Sequence, residues 1–297
     1  MGCHHCSTKK FWEAVGEQVT KEVLEVLNGG PIPDGWNATM IVLIPKVPKP
    51  EKIKDLRAIS LCNVLYKIVS KVLANRLKQI LPEITAPTQS AFVPRRLISD
   101  NILISYEMRH YTRKKRKGKK GFAAIKLDIS KAYDRVGWGF VRDMMIQLDF
   151  HAGWVEMIMK CVSSVSYHLK INGELSEDFK PRRGLRQGDP LSPYLFLICA
   201  EGFSSLLQKA EEEGRLQGVK ISHNAPSVSH LLFADDSLIL CRANGDEAQE
   251  LQRILDVYEE CSGQVINKEK SAVMFSLNTS EENREHVRHA LHIRRRR

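Results

Sequence analysis

An α+β fold, in which an antiparallel sheet is backed by helices, is predicted by three features of the sequence. Apolar runs with strand character, Phe122-Ala123-Ala124-Ile125-Lys126-Leu127-Asp128 and the pair Leu231-Leu232 and Leu238-Ile239-Leu240, lie among longer segments of helical periodicity. The last two flank Phe233-Ala234-Asp235-Asp236, a tight turn with both carboxylates at its tip, while Asp128 closes the first run. No internal repeat and no Gly/Ser/Pro linker intervenes, so the pattern is organised around two strand-end acidic positions. Two ionised carboxylates ~4 Å apart repel by about 4 kcal/mol at an effective dielectric of 20. The pair therefore binds metal, spreads apart or takes up a proton; a turn that merely uses Asp is the plainer alternative.

The elements follow in order. Phe11, Val15, Val19 and Val23 recur at spacing four within residues 8–28, and Gly29-Gly30-Pro31 ends that helix. After the turn Pro33-Asp34-Gly35, the β-branched stretch 39–44 reads as a buried strand stopping at Pro45-Lys46. Asn63 opens a long helix through Leu81, with Leu65, Ile68, Val69, Val72, Leu73 and Leu77 inward and Pro82 as its stop. A third helix begins near Ser99-Asp100 and runs into residues 109–120, which hold eight basic side chains and no acidic one. That segment reads as a mobile surface loop, a phosphate-tracking loop or a nuclear address. Beyond the 122–128 strand come helices around 139–148 and 154–161 and a hairpin turning at Asn172-Gly173. Asp189-Pro190 caps a helix that buries Leu195, Leu197, Ile198 and Cys199. After the acidic hairpin, Asp246 caps a helix with Ala248, Leu251, Leu255 and Tyr258 on one face, closed by Gly263.

The chain has 297 residues, 43% hydrophobic and 27% charged, enough for one large or two modest domains with a substantial core. Lys and Arg outnumber Asp and Glu by 45 to 35, and the resulting charge of +10 suggests a polyanionic partner such as nucleic acid. Seven cysteines, mostly in apolar segments, imply reduced thiols rather than a disulfide framework. Cys3-His4-His5-Cys6 has metal-ligand residue types, but adjacent ligands on so short a segment form a poor tetrahedral cage. The start is polar and no apolar run approaches the ~20 residues that span a bilayer. A soluble intracellular protein with no membrane partner is expected, in the nucleus or the cytoplasm, with the nucleus favoured.

Two-metal phosphoryl transfer needs carboxylates from separate backbone positions, holding two ions ~3.5–4 Å apart. Asp128 and Asp235 meet that need if their strands are neighbours. Lys126-Leu127-Asp128-Ile129-Ser130-Lys131-Ala132-Tyr133-Asp134-Arg135-Val136, Arg183-Gly184-Leu185-Arg186-Gln187-Gly188-Asp189-Pro190-Leu191-Ser192-Pro193 and Phe233-Ala234-Asp235-Asp236 resemble three successive motifs of reverse transcriptases, in particular those of plant LINE-type (non-LTR) retrotransposons. Ile44-Pro45-Lys46, Ile59-Ser60-Leu61, Gln89-Ser90-Ala91-Phe92-Val93-Pro94 and Ser262-Gly263-Gln264-Val265-Ile266-Asn267-Lys268-Glu269-Lys270-Ser271 extend the resemblance to about residues 11–290.

The resemblance implies a right-hand polymerase fold. It places a helix-rich fingers-like region over residues 8–120, a palm over 121–277 whose residues about 150–185 return toward the fingers, and a truncated basic tail over 278–297, with the reverse transcriptase domain spanning 37–290. The family continues into a Tyr-Leu-Gly-type primer grip and a thumb helix bundle, whereas the chain stops at Arg294-Arg295-Arg296-Arg297 and leaves no room at its start for an endonuclease; fingers and palm with the thumb missing are expected. Asp128 and Asp235, with the Ile129 carbonyl, would be ligands to two Mg²⁺ or Mn²⁺ ions, and Asp236 a less direct third catalytic carboxylate. Tyr133 resembles the steric gate that leaves no room for a 2′-hydroxyl; a packing tyrosine is the alternative. Gln187 and Gly188 would approach the incoming nucleotide and template base, Lys46 and Arg57 the triphosphate, and Lys270 the pyrophosphate leaving group. The cations Arg113, Lys114, Lys115, Arg116 and Lys117 would grip nucleic-acid backbone.

The implied function is RNA-directed DNA polymerisation, adding deoxynucleotides to a primer 3′-hydroxyl, with an RNA template, a DNA primer and deoxynucleoside triphosphates as partners. Four positions depart from the family pattern: Leu56 stands where Tyr is usual, Ala58 where Pro is usual, Arg95 where Gly is usual, and Gly137 where an acidic residue is usual. Two other readings stay open: an inactive, truncated retrotransposon remnant that binds nucleic acid weakly, and a non-enzymatic nucleic-acid-binding protein that kept the palm.

Overall fold

The computed structural model describes residues 11–118, 120–222 and 224–293. In chain order its elements are α1 (Trp12–Leu27), β1 (Ala38–Pro45), β2 (Leu56–Cys62), α2 (Val64–Ile84), α3 (Ile98–Lys114), β3 (Phe122–Asp128), α4 (Ala132–Arg135), α5 (Trp138–Gln147), α6 (Ala152–Ser163), β4 (Ser166–Ile171), β5 (Glu174–Leu175), α7 (Ser192–Glu212), β6 (His230–Phe233), β7 (Asp236–Arg242), α8 (Gly245–Ser262), β8 (Ala272–Phe275) and α9 (Glu281–Leu291). They form two compact units, Met1–Gln79 with Trp138–Leu195 and Ile80–Gly137 with Phe196–Arg297. Residues 80–120 thus fall in the second unit, apart from the rest of the 8–120 stretch. The Cys3 to Cys6 segment lies outside the described residues. None of the described helices is long and apolar enough to cross a membrane.

The first unit holds a mixed sheet of order β2-β1-β4-β5. β1 and β2 run antiparallel with Ile44 opposite Arg57, and β1 and β4 run parallel, a pairing that local periodicity does not encode. Asn172 and Gly173 turn β4 into β5 with φ of +50° and +96°, the positive values a two-residue hairpin favours. The core takes Tyr66, Leu73 and Leu77 from α2, Met145 from α5 and Ile158 from α6. Two expectations are corrected. α1 buries Gly16, Val23, Val26 and Leu27, leaving Phe11 and Val15 exposed, so its inward face is offset from the spacing-four stripe. α2 continues past Pro82 to Ile84, because a proline in the last turn forfeits a single hydrogen bond with little helix left to break.

The second unit is built on an antiparallel sheet, as expected, and its strand order is β6-β7-β3-β8. Alternation along β3 sends Ala123, Ile125 and Leu127 to one buried face and Phe122 and Ala124 to the other, where Met108 of α3 and Leu240 pack on them. Phe203 of α7 meets Tyr258 of α8 at 5.0 Å between ring centres. α3 keeps its helix through Arg113 and Lys114, so nearly half of the basic run is helical rather than loop; Lys and Arg are good helix formers and complement the negative end of the dipole. The segment after 278 is likewise no mere tail. Ser280 caps α9 by accepting from the Asn283 N–H, Val287 and Leu291 are buried, and the Arg288 guanidinium lies 5.2 Å from the Phe275 ring centre.

Two caps also differ from expectation. α8 is capped by Asn244, which accepts from the Glu247 N–H, with Asp246 in the first turn. α7 begins at Ser192, two residues after Pro190, because Asp189 is committed to a buried ion pair described below. Cys62, Cys161, Cys199 and Cys241 are buried free thiols and Cys261 an exposed one.

Candidate active site

In the second unit the register of β3 and β7 sets Asp128 directly opposite Asp236, one residue from Asp235 at the hairpin tip. Like charges facing each other across a ladder are destabilising. Lys126 relieves the pair through an ion pair to Asp236 at 3.0 Å, both side chains being more than 60% exposed and the bridge correspondingly weak. The hairpin turns through Ala234 and Asp235, with Ala234 at φ +51°, a conformation alanine rarely adopts. Gln89 holds it there: its Oε1 accepts from the Ala91 N–H at 2.9 Å and the Ala234 N–H at 3.3 Å. The 88–90 segment also pairs along the outer edge of β6, the Leu232 N–H donating to Thr88 and the Ser90 N–H to Leu232, so that edge is not left open.

The strand end bearing Asp128 is fixed from the other side. Its N–H donates to Ser271 Oγ at 3.2 Å and its carbonyl accepts from the Asn267 N–H at 2.7 Å. Ser130 N–H donates to Val265 O at 2.8 Å, so the 265–267 segment bonds through 128 and 130 and leaves the Ile129 carbonyl turned away from it. Lys270 belongs to the same turn, its N–H donating to Asn267 O, and is exposed. Gln264 donates to Ala132 O at 2.8 Å, and Gly137 N–H donates to Ser262 O at 2.8 Å, wrapping the 132–137 segment. At Gly137 itself a Cβ would meet Ser262 O at 3.3 Å, so the departure from an acidic residue there fits the close backbone contact. Tyr133 stacks on Phe196 at 4.7 Å and 7°. Burial, and then the charge of Asp235, push its phenol up to about 12.

No three His, Cys, Asp or Glu side chains gather into a metal cage among the described residues. Magnesium does not need one: it is usually held by one or two carboxylates, with water and substrate phosphates completing the octahedron. Asp128, Asp235 and the Ile129 carbonyl, which the 265–267 segment does not engage, fit that open donor set.

Lys46, Arg57, Gln187 and Gly188 belong to the first unit. Arg57 and Lys46 are exposed at one end of the β1–β2 ribbon, where Lys46 Nζ donates to Lys54 O. Gln187 O accepts from the Ser60 N–H at 2.9 Å, and Gly188 has φ +115° with room for no Cβ, which would stand 2.8 Å from Ser60 O. Arg113, Lys114, Lys115, Arg116 and Lys117 lie in the second unit, at the end of α3 and just beyond.

The family described as reverse transcriptase (RNA-dependent DNA polymerase) matches residues 44–289. The chain belongs to this family. It is 32% identical over 264 residues to the transposon TX1 149 kDa protein of Xenopus laevis, covering 88% of this chain and 19% of that protein. It is 28% identical to the Pol polyprotein of the type-2 retrotransposable element R2DM of Drosophila melanogaster, covering 76% and 20%, and 57% identical over 67 residues to the mitochondrial protein AtMg01250 of Arabidopsis thaliana, covering 23% and 55%. The chain thus spans about a fifth of the length of the transposon relatives. Its fold is similar to that of the apo telomerase of Candida tropicalis truncated from its C-terminal domain, at a TM-score of 0.57 and 17% identity over 84% of this chain and 52% of that one.

Within this reverse transcriptase fold the structure adds residues that sequence reasoning did not assign. Gln89 is one, quoted in a motif but given no task. A second group surrounds Arg186 and Asp189, paired at 2.7 Å and each only about 5% exposed. Arg186 donates to Asn37 Oδ1, Thr39 Oγ1 and Cys161 O, and stacks 4.1 Å over the Tyr66 ring. Asp189 accepts from Tyr66 OH, Ser70 Oγ and the Leu191 N–H. This network clamps both ends of the Gln187-Gly188 turn. In the sequence the two stand inside the 183–193 motif, Asp189 read there as a helix cap and Arg186 given no task.

Proposed function

We propose that this chain carries the polymerising centre of an RNA-directed DNA polymerase, which adds deoxynucleotides to a primer 3′-hydroxyl. The observation that supports this most is the register of β3 and β7, which brings Asp128, Asp235 and Asp236 to one end of one sheet. Divalent ions bound there, Mg²⁺ by the hardness of the donor set, supply a polarised nucleophile and charge neutralisation at the leaving group. Asp128 and Asp235 hold those ions together with the Ile129 carbonyl. Asp236, engaged with Lys126, acts on the hairpin's charge rather than as a full ligand. Tyr133, braced by Phe196, presents a neutral phenol beneath the sugar and excludes a 2′-hydroxyl. Lys46 and Arg57 bind the triphosphate, Gln187 and Gly188 orient the nucleotide against the template base, and Lys270 donates a proton to the departing pyrophosphate. The template is RNA and the primer DNA, gripped through backbone phosphates by the surplus of cations.

Primer extension on poly(rA)/oligo(dT) tests this reading. Extension by the wild-type chain should require Mg²⁺ and stop on chelation. A chain that binds the hybrid but never extends it would instead be a nucleic-acid-binding protein that kept the fold.

A further inference from the structure

α3 has two unlike faces. Ile104, Met108, Tyr111, Thr112 and Lys115 turn toward the sheet, Met108 and Thr112 fully buried. The opposite stripe, Tyr106, Arg109, His110, Arg113 and Lys114, follows helical spacing, Lys117 comes just beyond the helix end at Lys114, and all six are exposed. Tyr106 is 68% exposed and its ring stacks on that of His110, 6.4 Å between centres at 18°. Among the described residues, none of Arg109, Arg113, Lys114, Arg116 or Lys117 takes part in an ion pair, although Arg186, Arg215, Arg242, Arg253, Arg284 and Arg288 all do. Lys115 is occupied differently, over the Phe122 ring at 4.3 Å.

Two cavities meet at Tyr106. One of about 910 Å³ extends to His110, Lys114 and Lys117. The other, about 460 Å³, runs from Tyr106 and Arg109 to Lys126, Phe233 and Asp236, beside the acidic hairpin. Unneutralised cations call for phosphates, and an open ring pair offers a platform for a base. In a duplex the base faces are hidden in the stack, so rings presented this way suit an unpaired strand.

We infer that this face of α3 binds a single-stranded segment of nucleic acid, its phosphates along Arg109, Arg113, Lys114 and Lys117 and a base stacked on Tyr106 and His110. The track leads toward the end of the sheet that carries Asp235. The inference deepens the polymerase reading by naming where an unpaired strand lies, and it rests on that reading only for the strand's destination.

Fluorescence anisotropy with labelled 20-nucleotide RNA, the matching single-stranded DNA and a blunt RNA–DNA hybrid tests it. EDTA present and nucleotides absent make the result independent of polymerisation. Tyr106→Ala should weaken binding of single strands roughly ten- to a hundredfold, the loss of one base–aromatic stack, and hybrid binding less than about threefold. A selective loss on either RNA or DNA supports the site and tells which strand uses it. Arg109→Gln with Arg113→Gln should weaken all three probes and reduce the single-strand salt slope by about 1.4, two phosphate contacts. Unchanged single-strand affinity in Tyr106→Ala, or an equal loss on single strand and hybrid, overturns the inference. So does sedimentation showing that Tyr106→Ala abolishes self-association while leaving RNA binding intact, which would make the face a protein contact. Both substitutions are on exposed positions, and circular dichroism checks the fold.

Discussion

Asp128 and Asp235 are useful only because of what fixes their backbones. Ser271, Asn267 and Gln89 together hold the Asp128 N–H and carbonyl and the Ala234 N–H, so the carboxylates are set by hydrogen bonds at the strand ends rather than by side-chain packing. Tyr133 is set by contrast through packing, flat against Phe196. Tyr133→Val should therefore relax discrimination against ribonucleotides by roughly tenfold or more, the scale of a changed steric contact in a pocket. Single-nucleotide extension with paired deoxy- and ribonucleotides measures this, and an unchanged ratio would leave Tyr133 a packing residue. The strand ends that carry Asp128 and Asp235 were legible in the sequence, because apolar runs and tight-turn chemistry mark them, while Tyr133 was singled out by motif resemblance alone. Gln89 was not, since its partner Ala234 lies 145 residues away and nothing local predicts that contact. Arg95 shows the reverse case: its φ of +65° confirms a position where Gly is the unstrained choice.

At the scale of elements, β3 was legible to the residue and the strands of the acidic hairpin to within two, because they combine apolar runs with tight-turn chemistry. The errors fell where tertiary demands outweigh local rules. Asp189 stands ahead of α7 rather than at its N-cap, its carboxylate shared among Arg186, Tyr66, Ser70 and the Leu191 N–H. The segment after 278 reads as a tail because its apolar residues are few, yet Val287, Leu291 and Ile293, all buried, and a serine cap suffice for a helix packed on α8. β6 carries a further consequence. His230 sits buried between Thr88 Oγ1 at 2.9 Å and Ser204 Oγ at 2.8 Å, and burial depresses its pKa to about 4. Between pH 6.5 and 4 the unfolded chain binds a proton there that the folded chain refuses, so stability falls as pH falls through that window. The contribution is up to about 3 kcal/mol. Urea melts across this range should show that loss in the wild type and its absence in His230→Gln; parallel curves for the two would remove His230 from the account.

At the scale of the whole molecule, the surplus of +10 is the feature that composition alone supplied, and the structure concentrates part of it on α3. Hybrid binding should weaken more than tenfold between 50 and 200 mM salt, a change that about two neutralised phosphates already produce. Filter binding measures it, and a flat response would deny the cations their role. Turnover at the acidic hairpin is tested on the same hybrid by one comparison of wild type with Asp235→Ala, extension and binding being read side by side. The variant should lose extension by more than about a hundredfold, since even supporting residues around a metal site cost ten- to a hundredfold, while its affinity for the hybrid changes little. Equal extension by both proteins, or binding without extension in the wild type, would contradict it.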